Sequence, residues 1–409
     1  MKWFRFILFL LIVCIGFGVL NTLQPDQASL RWENFYRRPS HSLDIVFIGN
    51  SHNFNTFNPQ VIDQISGTNS YVVGTAGENI ILSYFELKEV LRSQRPRVVV
   101  LESYALDLSP EDMIDQGHIY RFLDAGPMTE NKIGAIAQIL YPDHLTGIFP
   151  LLRQRIQFEK PYLYLDNLKT RIEELINPTI KKDTGSRINP NVIPSDKYER
   201  VLSVQVPAFD DPPQINLDYL DKFLSTCEQY NIQPFFAAAP ILQVPERTFD
   251  VYAPLDKKLL SEKYGVGYTD FKQNKFSQLH FFNGDHLNTF GSLIVSTETA
   301  VKLSEILGTL PNQEALNYFR TYYFNDFDIL QSENEATLTL YPMDPGAPLL
   351  YAWEISKSDI ILLNMDYQPH NAITFPTPET GEYQIRVKIW NPDGDFVLEG
   401  EFLHRVGKK

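Results

Sequence analysis

Cysteine is scarce in this chain. Cys14 and Cys227 are the only two among 409 residues, and Cys14 lies in an apolar N-terminal run, so a bridge between them is not expected. Neither a disulfide framework nor a cysteine zinc site is therefore available. Stability must come from packing, for which a hydrophobic content of 44% and an aromatic content of 13% are ample.

Basic residues are also few relative to acidic ones. The chain has 36 Lys and Arg residues against 50 Asp and Glu residues, which gives a net charge of −14. Because nucleic-acid binding depends on neutralising phosphates, this balance argues against a nucleic-acid partner.

Motifs for nucleotides and metals are missing as well. No glycine-rich phosphate loop or dinucleotide fingerprint follows the first predicted strand. Folding could bring His52, Asp285 and His286 together, but they have no regular metal-ligand spacing. The sequence therefore predicts neither a cofactor nor a metal.

The N-terminus has the pattern of a membrane segment. Lys2 and Arg5 precede Phe6–Leu20, which is fifteen residues without a charge. This pattern predicts an uncleaved membrane anchor over residues 1–25, with a cleaved signal peptide and a secreted product as the alternative. Basic residues before the span place the bulk of the chain outside the cytoplasm. A polar tether is predicted over residues 26–42.

A repeating strand–helix pattern follows the tether. Short apolar strands alternate with a helical stripe formed by Ile80, Tyr84, Leu87 and Leu91, and Pro96 ends that helix. This order predicts an α/β domain with a parallel sheet over residues 43–310. Its first three strands are predicted at Asp44–Ile48, Tyr71–Val73 and Arg97–Leu101.

Residues 111–213 interrupt this rhythm and are interpreted as a large insertion that decorates the site. Helices are predicted within it at Lys132–Leu140 and Tyr164–Ile176. The α/β pattern then returns. It predicts a helix at Leu217–Leu224, a strand at Pro234–Ala239, a helix near Leu255–Lys263, a strand at Gly265–Phe271 and a closing helix at Leu293–Leu307.

From about residue 325 the hydrophobic period changes to two. Apolar and polar residues alternate strictly in Tyr383–Ile389, and Asn391–Gly394 is a typical turn. This pattern predicts an all-β, immunoglobulin-like sandwich over residues 325–405, with Trp353 and Trp390 in its core. Its aromatic residues could bind sugars, but their alternation is typical of core residues.

One serine and one histidine stand out for chemistry. Ser51 follows a buried strand directly, and the carboxyl ends of parallel strands are where ligands gather in open α/β sheets. His286 precedes an amphipathic run and could be the base that a serine nucleophile needs. The simpler alternatives are a helix N-cap for Ser51, a hydrogen-bonded loop histidine for His286 and helix-start packing for His52.

Three segments around these residues resemble the SGNH (GDSL-like) hydrolase superfamily. They are Gly49–His52, Gly74–Asn79 and Asp285–Gly291. They are most similar to its membrane-anchored branch, which is associated with acylation of cell-surface polysaccharides. The resemblance covers roughly residues 40–310, without much of the insertion. It implies a flavodoxin-like α/β/α sandwich that carries acyl-ester chemistry.

The resemblance also implies roles for individual residues. Ser51 would be the nucleophile and His286 the base. The backbone N–H of Ser51, Gly77 and Asn79 would form the oxyanion hole, although Gly77 could instead be only a tight turn. The third block of the superfamily, Gly-x-Asn-Asp, has no counterpart here, and Leu101–Tyr104 occupies that strand end.

A second departure concerns the residue that orients the histidine. The superfamily usually has an aspartate three positions before the histidine, where this chain has Asn283. An amide holds geometry but supplies no negative charge, and in the serine-protease triad an Asp→Asn change costs about 10⁴ in kcat. Asp285 and Glu102 are further candidates for this role, although Asp285 could be a helix cap and Glu102 a solvated strand end.

Two functional hypotheses follow. The first is an extracytoplasmic, serine-dependent enzyme that transfers an acyl group, with acetyl expected, to a cell-envelope polysaccharide or hydrolyses it from one. An anchored transferase would have an integral membrane acyl-donor protein as its partner. The alternative is a catalytically inactive envelope protein of the same fold that binds glycans or partner proteins.

Overall fold

The computed structural model describes segments from both predicted domains. The anchor at residues 1–25 and the helix predicted at Tyr164–Ile176 lie outside them, as does most of the helix predicted near Leu255–Lys263. Within the described segments, no helix combines the length and apolar character needed to cross a bilayer. These segments are residues 30–106, 119–140, 184–195, 197–198, 213–242, 262, 264–271 and 276–407.

A five-stranded sheet with the order β2-β1-β3-β4-β5 forms the centre of the first domain, and all its strand pairs are parallel. This is the order of flavodoxin-like, doubly wound folds. The predicted α/β class with a parallel sheet is therefore confirmed, and each strand lies within two residues of its predicted bounds. The strands are β1 Ile45–Ile48, β2 Ser70–Val72, β3 Val98–Glu102, β4 Gln233–Ala238 and β5 Gly267–Asp270.

Helices cover both faces of this sheet. Ile45 and Phe47 of β1 belong to one hydrophobic cluster, whereas Val46 and Ile48 belong to a second one on the opposite face. Alternate residues of a strand point to opposite faces, so a strand buried on both sides is apolar throughout. The helices of this domain are α1 Leu30–Tyr36, α2 Ser51–Thr56, α3 Pro59–Ser66, α4 Ile80–Val90, α5 Ile119–Asp124, α6 Glu130–Ile139, α7 Gln214–Gln229 and α8 Thr289–Leu307. Helices α2, α3 and α8 contribute to the first cluster. The other five contribute to the second cluster.

The closing helix, α8, begins four residues before its predicted start at Leu293. The side chain of Asn288 explains the difference, since its Oδ1 accepts hydrogen bonds from the backbone N–H groups of Phe290 (3.0 Å) and Gly291 (3.3 Å). An asparagine in this position satisfies donors that the first helical turn leaves without partners. The helix therefore starts close to His286.

Two antiparallel sheets form the second domain, with strand orders β10-β7-β6 and β12-β11-β8-β9. Their inward residues belong to one hydrophobic cluster, so the predicted all-β domain is confirmed as a pair of antiparallel sheets. Trp353 is fully buried as predicted, but Trp390 is only half-buried and donates from Nε1 to Gly394 O (2.7 Å). The strands are β6 Phe324–Gln331, β7 Glu335–Pro342, β8 Leu350–Lys357, β9 Ile360–Gln368, β10 Ala372–Pro376, β11 Gly381–Trp390 and β12 Val397–Val406.

The two domains pack directly on one another. Helix α9, Gln313–Arg320, connects them, and Val192 and Glu401 form a backbone hydrogen bond of 2.7 Å from the insertion to β12. Phe290 of α8 packs against Gly400, where a Cβ atom would lie 2.7 Å from the ring. The helix that follows the histidine loop is thus held by the sheet on one side and by the β-domain on the other.

Candidate active site

The first strand delivers Ser51 to the carboxyl edge of the parallel sheet. After Ile48 the chain turns at Gly49, whose φ of +146° favours glycine, and α2 starts at Ser51. Asn50 caps this helix, because its Oδ1 accepts a hydrogen bond from the backbone N–H of His52 (2.9 Å). Ser51 is therefore the first residue of a helix and is partly exposed.

The histidine loop brings His286 to the same edge. Nε2 of His286 lies 2.6 Å from Oγ of Ser51, although the two residues are 235 positions apart. This is the distance that a nucleophile and its general base require. The two candidates from sequence are therefore in hydrogen-bond contact.

Asn283 determines which nitrogen of His286 carries the proton. Oδ1 of Asn283 accepts hydrogen bonds from the backbone N–H groups of Asp285 (3.1 Å) and His286 (2.8 Å), and it lies 3.0 Å from Nδ1 of His286. A backbone N–H can only donate, so the amide atom facing it must be the oxygen. Nδ1 must then be the protonated nitrogen, which leaves Nε2 free to accept the proton of Ser51.

Asp285 supplies the negative charge that Asn283 lacks. Its Oδ1 lies 3.2 Å from Nδ1 of His286, while its side chain remains 57% exposed. Partial burial would raise the pKa of Asp285, but the hydrogen bond and charge of His286, followed by the charge of His52, lower the pKa to about 2. The carboxylate is therefore ionised at neutral pH, and solvent weakens its attraction for the imidazole.

Glu102 occupies a different place at the sheet edge. It is 1% exposed, so it is not the solvated strand end considered from sequence. Its Oε1 accepts from the backbone N–H of Ala239 (3.2 Å) and its Oε2 from that of Tyr104 (3.1 Å). These bonds tie the ends of β3 and β4 together, whereas Asn283 and Asp285 are the groups found at Nδ1 of His286.

Gly77 and Asn79 lie in the turn between β2 and α4. Gly77 has a φ of +63°, a conformation that glycine adopts without strain. Asn79 is buried and caps α4, with its Oδ1 accepting from the N–H of Leu82 (3.2 Å). In the described segments, its Nδ2 has no hydrogen-bond acceptor, and the same is true of Nδ2 of Asn50. Asn50 was not named from sequence as a candidate site residue, although its position immediately before Ser51 was a usable signal.

A buried network of hydrogen bonds holds the turn between β2 and α4. Glu78 accepts hydrogen bonds from the N–H of Thr75 (2.8 Å) and from Oγ of Ser83 (2.5 Å). Arg31 of α1 donates to the carbonyl oxygen of Gly74 (2.7 Å). Gly74 itself must be a glycine, because a Cβ atom there would lie 1.9 Å from Gly49 O. The turn is thus held against the loop that carries Ser51.

Glu78 shares this interior with Glu86. Burial raises the pKa of Glu78 to about 7, and burial followed by the charge of Glu78 raises the pKa of Glu86 well above its usual value. A hydrogen bond joins the two carboxyl groups, so one of them must carry a proton, and the charge of Glu78 favours the protonated form of Glu86. Glu86 is therefore a neutral acid that donates to Glu78.

Aromatic rings surround the imidazole. Phe282 stacks on His286 with ring centroids 5.4 Å apart and an interplanar angle of 17°. His52 is buried, which agrees with the packing alternative, and its ring lies 4.9 Å from His286 and 4.5 Å from Tyr104. Sequence reasoning did not single out Phe282, and it named Tyr104 only as part of the strand end.

The site also contains a set of possible metal ligands. The ligand atoms of His52, Asp285 and His286 lie within 4.8 Å of one another. Imidazole and carboxylate groups suit zinc. An ion bound there through Nδ1 of His286 would replace the proton that Asn283 holds in place, so the same groups cannot bind that ion and orient the base at once.

Comparisons with known proteins leave the family of this chain open. No protein-family model and no curated protein matches it. Among solved structures, a candidate acylhydrolase from Bacteroides fragilis is 11% identical over 72% of this chain and 99% of its own, with a TM-score of 0.29. Domains d3–d4 of the rat CD45 extracellular region are 15% identical, covering 20% of this chain and 48% of theirs, with a TM-score of 0.17. These TM-scores are too low to carry a functional argument.

The fold and the site together define a general class. The chain is an α/β protein with a serine–histidine pair at the carboxyl edge of a parallel sheet and an appended domain of two antiparallel sheets.

Proposed function

We propose that this protein is an SGNH-type enzyme that transfers an acyl group, most simply acetyl, to a cell-envelope polysaccharide or removes it from one. The observation that carries this proposal is the 2.6 Å contact between Oγ of Ser51 and Nε2 of His286. The N-cap alternative for Ser51 is wrong, because Asn50 caps this helix, so capping does not explain the contact of the serine hydroxyl with the imidazole.

The first half of the reaction forms an acyl-enzyme. Oγ of Ser51 attacks the acyl carbonyl carbon, and its proton passes to Nε2 of His286. Asn283 holds the Nδ1–H of the resulting imidazolium, and Asp285 stabilises its charge. The backbone N–H of Ser51, the N–H of Gly77 and Nδ2 of Asn79 would bind the oxyanion.

Breakdown of the tetrahedral intermediate completes the transfer. The bond to the leaving oxygen breaks, His286 returns its proton to that oxygen, and the acyl group stays on Ser51 as an ester. In the second half His286 takes a proton from water or from a sugar hydroxyl, whose oxygen attacks the ester. The bond from the acyl carbon to Oγ of Ser51 then breaks, and His286 returns the proton to Oγ. Water as acceptor gives hydrolysis, and a sugar hydroxyl gives transfer.

The remaining parts of the proposal come from the N-terminal sequence pattern and from the sequence resemblance. They are a membrane-anchored location on the extracytoplasmic face, a polysaccharide substrate and an integral membrane acyl-donor protein as partner. The strand order of the parallel sheet supports an SGNH-like core. The division of the second domain into three and four strands supports an immunoglobulin-like sandwich.

The test compares the full chain in detergent with Ser51→Ala and with a matched control, Ser332→Ala, an exposed serine in the β-domain. A chromogenic acetyl ester measures turnover, and a fluorophosphonate probe measures labelling of the serine. We expect the wild type and Ser332→Ala to turn over and be labelled, and Ser51→Ala to do neither.

Equal turnover by all three proteins would exclude the serine mechanism. Failure of the probe to label Ser51 would favour the alternative of an inactive envelope protein that binds glycans or partner proteins. For an active protein, adding an oligosaccharide acceptor separates the two reactions, because transfer yields acetylated oligosaccharide and hydrolysis yields free acetate.

A further inference from the structure

A cleft lies between the two domains, away from the serine–histidine pair. It has a volume of about 780 Å³, which lies in the range of small-ligand sites. Helix α3, helix α9 and the turn between β11 and β12 form its walls, and none of its lining residues belongs to the loops that carry Ser51 and His286. We name it the junction cleft; the residues used below are Gln60, Gln64, Glu314, Asn317, Tyr318, Asn391, Asp393, Asp395 and Phe396.

Planar polar side chains converge on the junction cleft from three separate elements. Each is exposed, and among the described residues none has a side-chain hydrogen bond or an ion pair. Their amide and carboxylate groups are therefore available to a ligand that offers several hydroxyl groups. These side chains are Gln60 and Gln64 of α3, Glu314 and Asn317 of α9, and Asp393 and Asp395 of the turn.

Aromatic side chains in the cleft are held rigidly. Oη of Tyr318 accepts a hydrogen bond from the backbone N–H of Phe396 (3.1 Å) and lies 3.1 Å from Oη of Tyr322. Phe396 packs edge-on against Tyr322, with ring centroids 5.3 Å apart. Tyr318 and Phe396 are both half-buried, so each exposes some apolar surface to a ligand. Because their conformations are already fixed, a ligand would lose little free energy in ordering these side chains.

The turn that carries the acidic residues is also fixed. Asn391 is 1% exposed, its Nδ2 donates to Oγ1 of Thr321 (3.1 Å), and its Oδ1 accepts from the N–H of Asp393 (3.0 Å). The positions of Asp393 and Asp395 relative to α9 are therefore set before any ligand binds.

The charge of the cleft selects among ligands. Three carboxylates line it, from Glu314, Asp393 and Asp395, and its lining contains no lysine, arginine or histidine from the described part of the chain. Like charges repel, so uronate and phosphate polymers are disfavoured. Within the described segments, these three carboxylates do not come close enough together to share one ion.

We infer that the junction cleft binds a neutral or amine-bearing stretch of oligosaccharide. The hydroxyl groups of such a ligand match the amides and carboxylates, its C–H faces match the aromatic surface, and an amine would pair with a carboxylate. This inference goes beyond the proposed function, and it does not require Ser51 to be catalytic.

The experiment titrates the full chain, in detergent, with three tetrasaccharides by calorimetry. They are chitotetraose, which is neutral, its fully de-N-acetylated form, which is cationic, and tetragalacturonate, which is anionic. We expect the cationic probe to bind most tightly, the neutral probe to bind with a dissociation constant of roughly 1 mM or below, and the anionic probe to bind at least about tenfold more weakly than the neutral one.

Variants locate the binding. Asn317→Ala and Asp393→Ala should each weaken binding of the cationic probe about tenfold, because each removes a polar partner. Gln313→Ala is the matched control for Asn317, since Gln313 is exposed on the same helix but does not line the cleft. Asp366→Ala, an exposed acid on β9, is the control for Asp393.

The affinities of these variants either support the inference or overturn it. Binding of the cationic probe about tenfold weaker in the two cleft variants, with wild-type binding in both controls and in Ser51→Ala, supports the inference. The inference is overturned by wild-type affinity in the cleft variants, by preferential binding of tetragalacturonate, or by no binding of the neutral and cationic probes. Because the readout is binding, none of these results depends on whether the acetyl-ester assay succeeds.

Discussion

Asp285 places its carboxylate 3.2 Å from Nδ1 of His286, although the two residues are adjacent in sequence. In the serine-protease triad a single aspartate both fixes the tautomer of the histidine and stabilises its charge. Here the two tasks fall to different residues: the amide of Asn283 fixes the tautomer, and Asp285 carries the charge. This division makes separate predictions for the two side chains.

Removal of the Asp285 charge should slow the reaction without changing substrate binding. Asp285→Asn is expected to lower kcat about 2- to 5-fold and to leave KM unchanged, because a carboxylate that is 57% exposed stabilises the imidazolium only partly. Steady-state kinetics on a chromogenic acetyl ester measure this. Adding Asn283→Asp to that variant should restore most of the rate, and a wild-type kcat in Asp285→Asn would show that the charge is not needed.

Removal of the Asn283 amide should have the larger effect. Asn283→Ala is expected to lower kcat by about 10²- to 10⁴-fold, because Nδ1 loses the nearer of its two acceptors and two backbone N–H groups of the histidine loop lose theirs. Asn283→Asp alone should retain at least wild-type activity, since a carboxylate oxygen accepts the same three bonds. Lower activity in Asn283→Asp than in Asn283→Ala would contradict the assigned tautomer.

The buried pair Glu78 and Glu86 predicts a dependence of stability on pH. The pKa of Glu78 is raised from 4.5 to about 7, so between these values the folded chain binds a proton that the unfolded chain has lost. The free energy of unfolding should therefore fall as the pH rises from about 4.5 to 7, by roughly 3 kcal/mol from Glu78 alone at about 1.4 kcal/mol per pKa unit, and Glu86, whose pKa is also raised, adds to the fall. Urea unfolding across this range measures the slope.

Glu78→Gln provides the matching variant for that measurement. A glutamine can still accept from the N–H of Thr75, but it cannot ionise, so the slope should become clearly shallower. An unchanged slope in Glu78→Gln would assign the pH dependence to other groups.

Asn288 should be unusually important among the helix caps. Its Oδ1 caps α8, and its Nδ2 donates to the carbonyl oxygens of Leu279 (2.7 Å) and Asn191 (3.1 Å). Asn288→Ala should lower the free energy of unfolding by about 2–4 kcal/mol, because the cap is lost and buried acceptors lose their donor. Asn312→Ala is the control, since Asn312 caps α9 at an exposed position and should cost about 1 kcal/mol. Equal losses in urea unfolding would refute the special role of Asn288.

Much of the fold could be predicted because its signals are local. Apolar runs between helical stripes located each strand of the parallel sheet to within two residues, and strict alternation located β11. The start of α8 was misplaced because the cap lies outside the hydrophobic pattern on which the prediction relied. The alternative of a solvated strand end for Glu102 is wrong, since its burial depends on the neighbouring strand β4.

The sequence by itself determined the class of the fold, the serine at a strand end and the histidine before a helix, because hydrophobic period and residue order report on elements formed over short stretches. Only the tertiary structure decided that these two side chains touch, which oxygen faces Nδ1, and that an adjacent aspartate supplies the charge. Distances between loops far apart in the chain depend on the packing of a whole sheet and its helices, and no local pattern of residues encodes them.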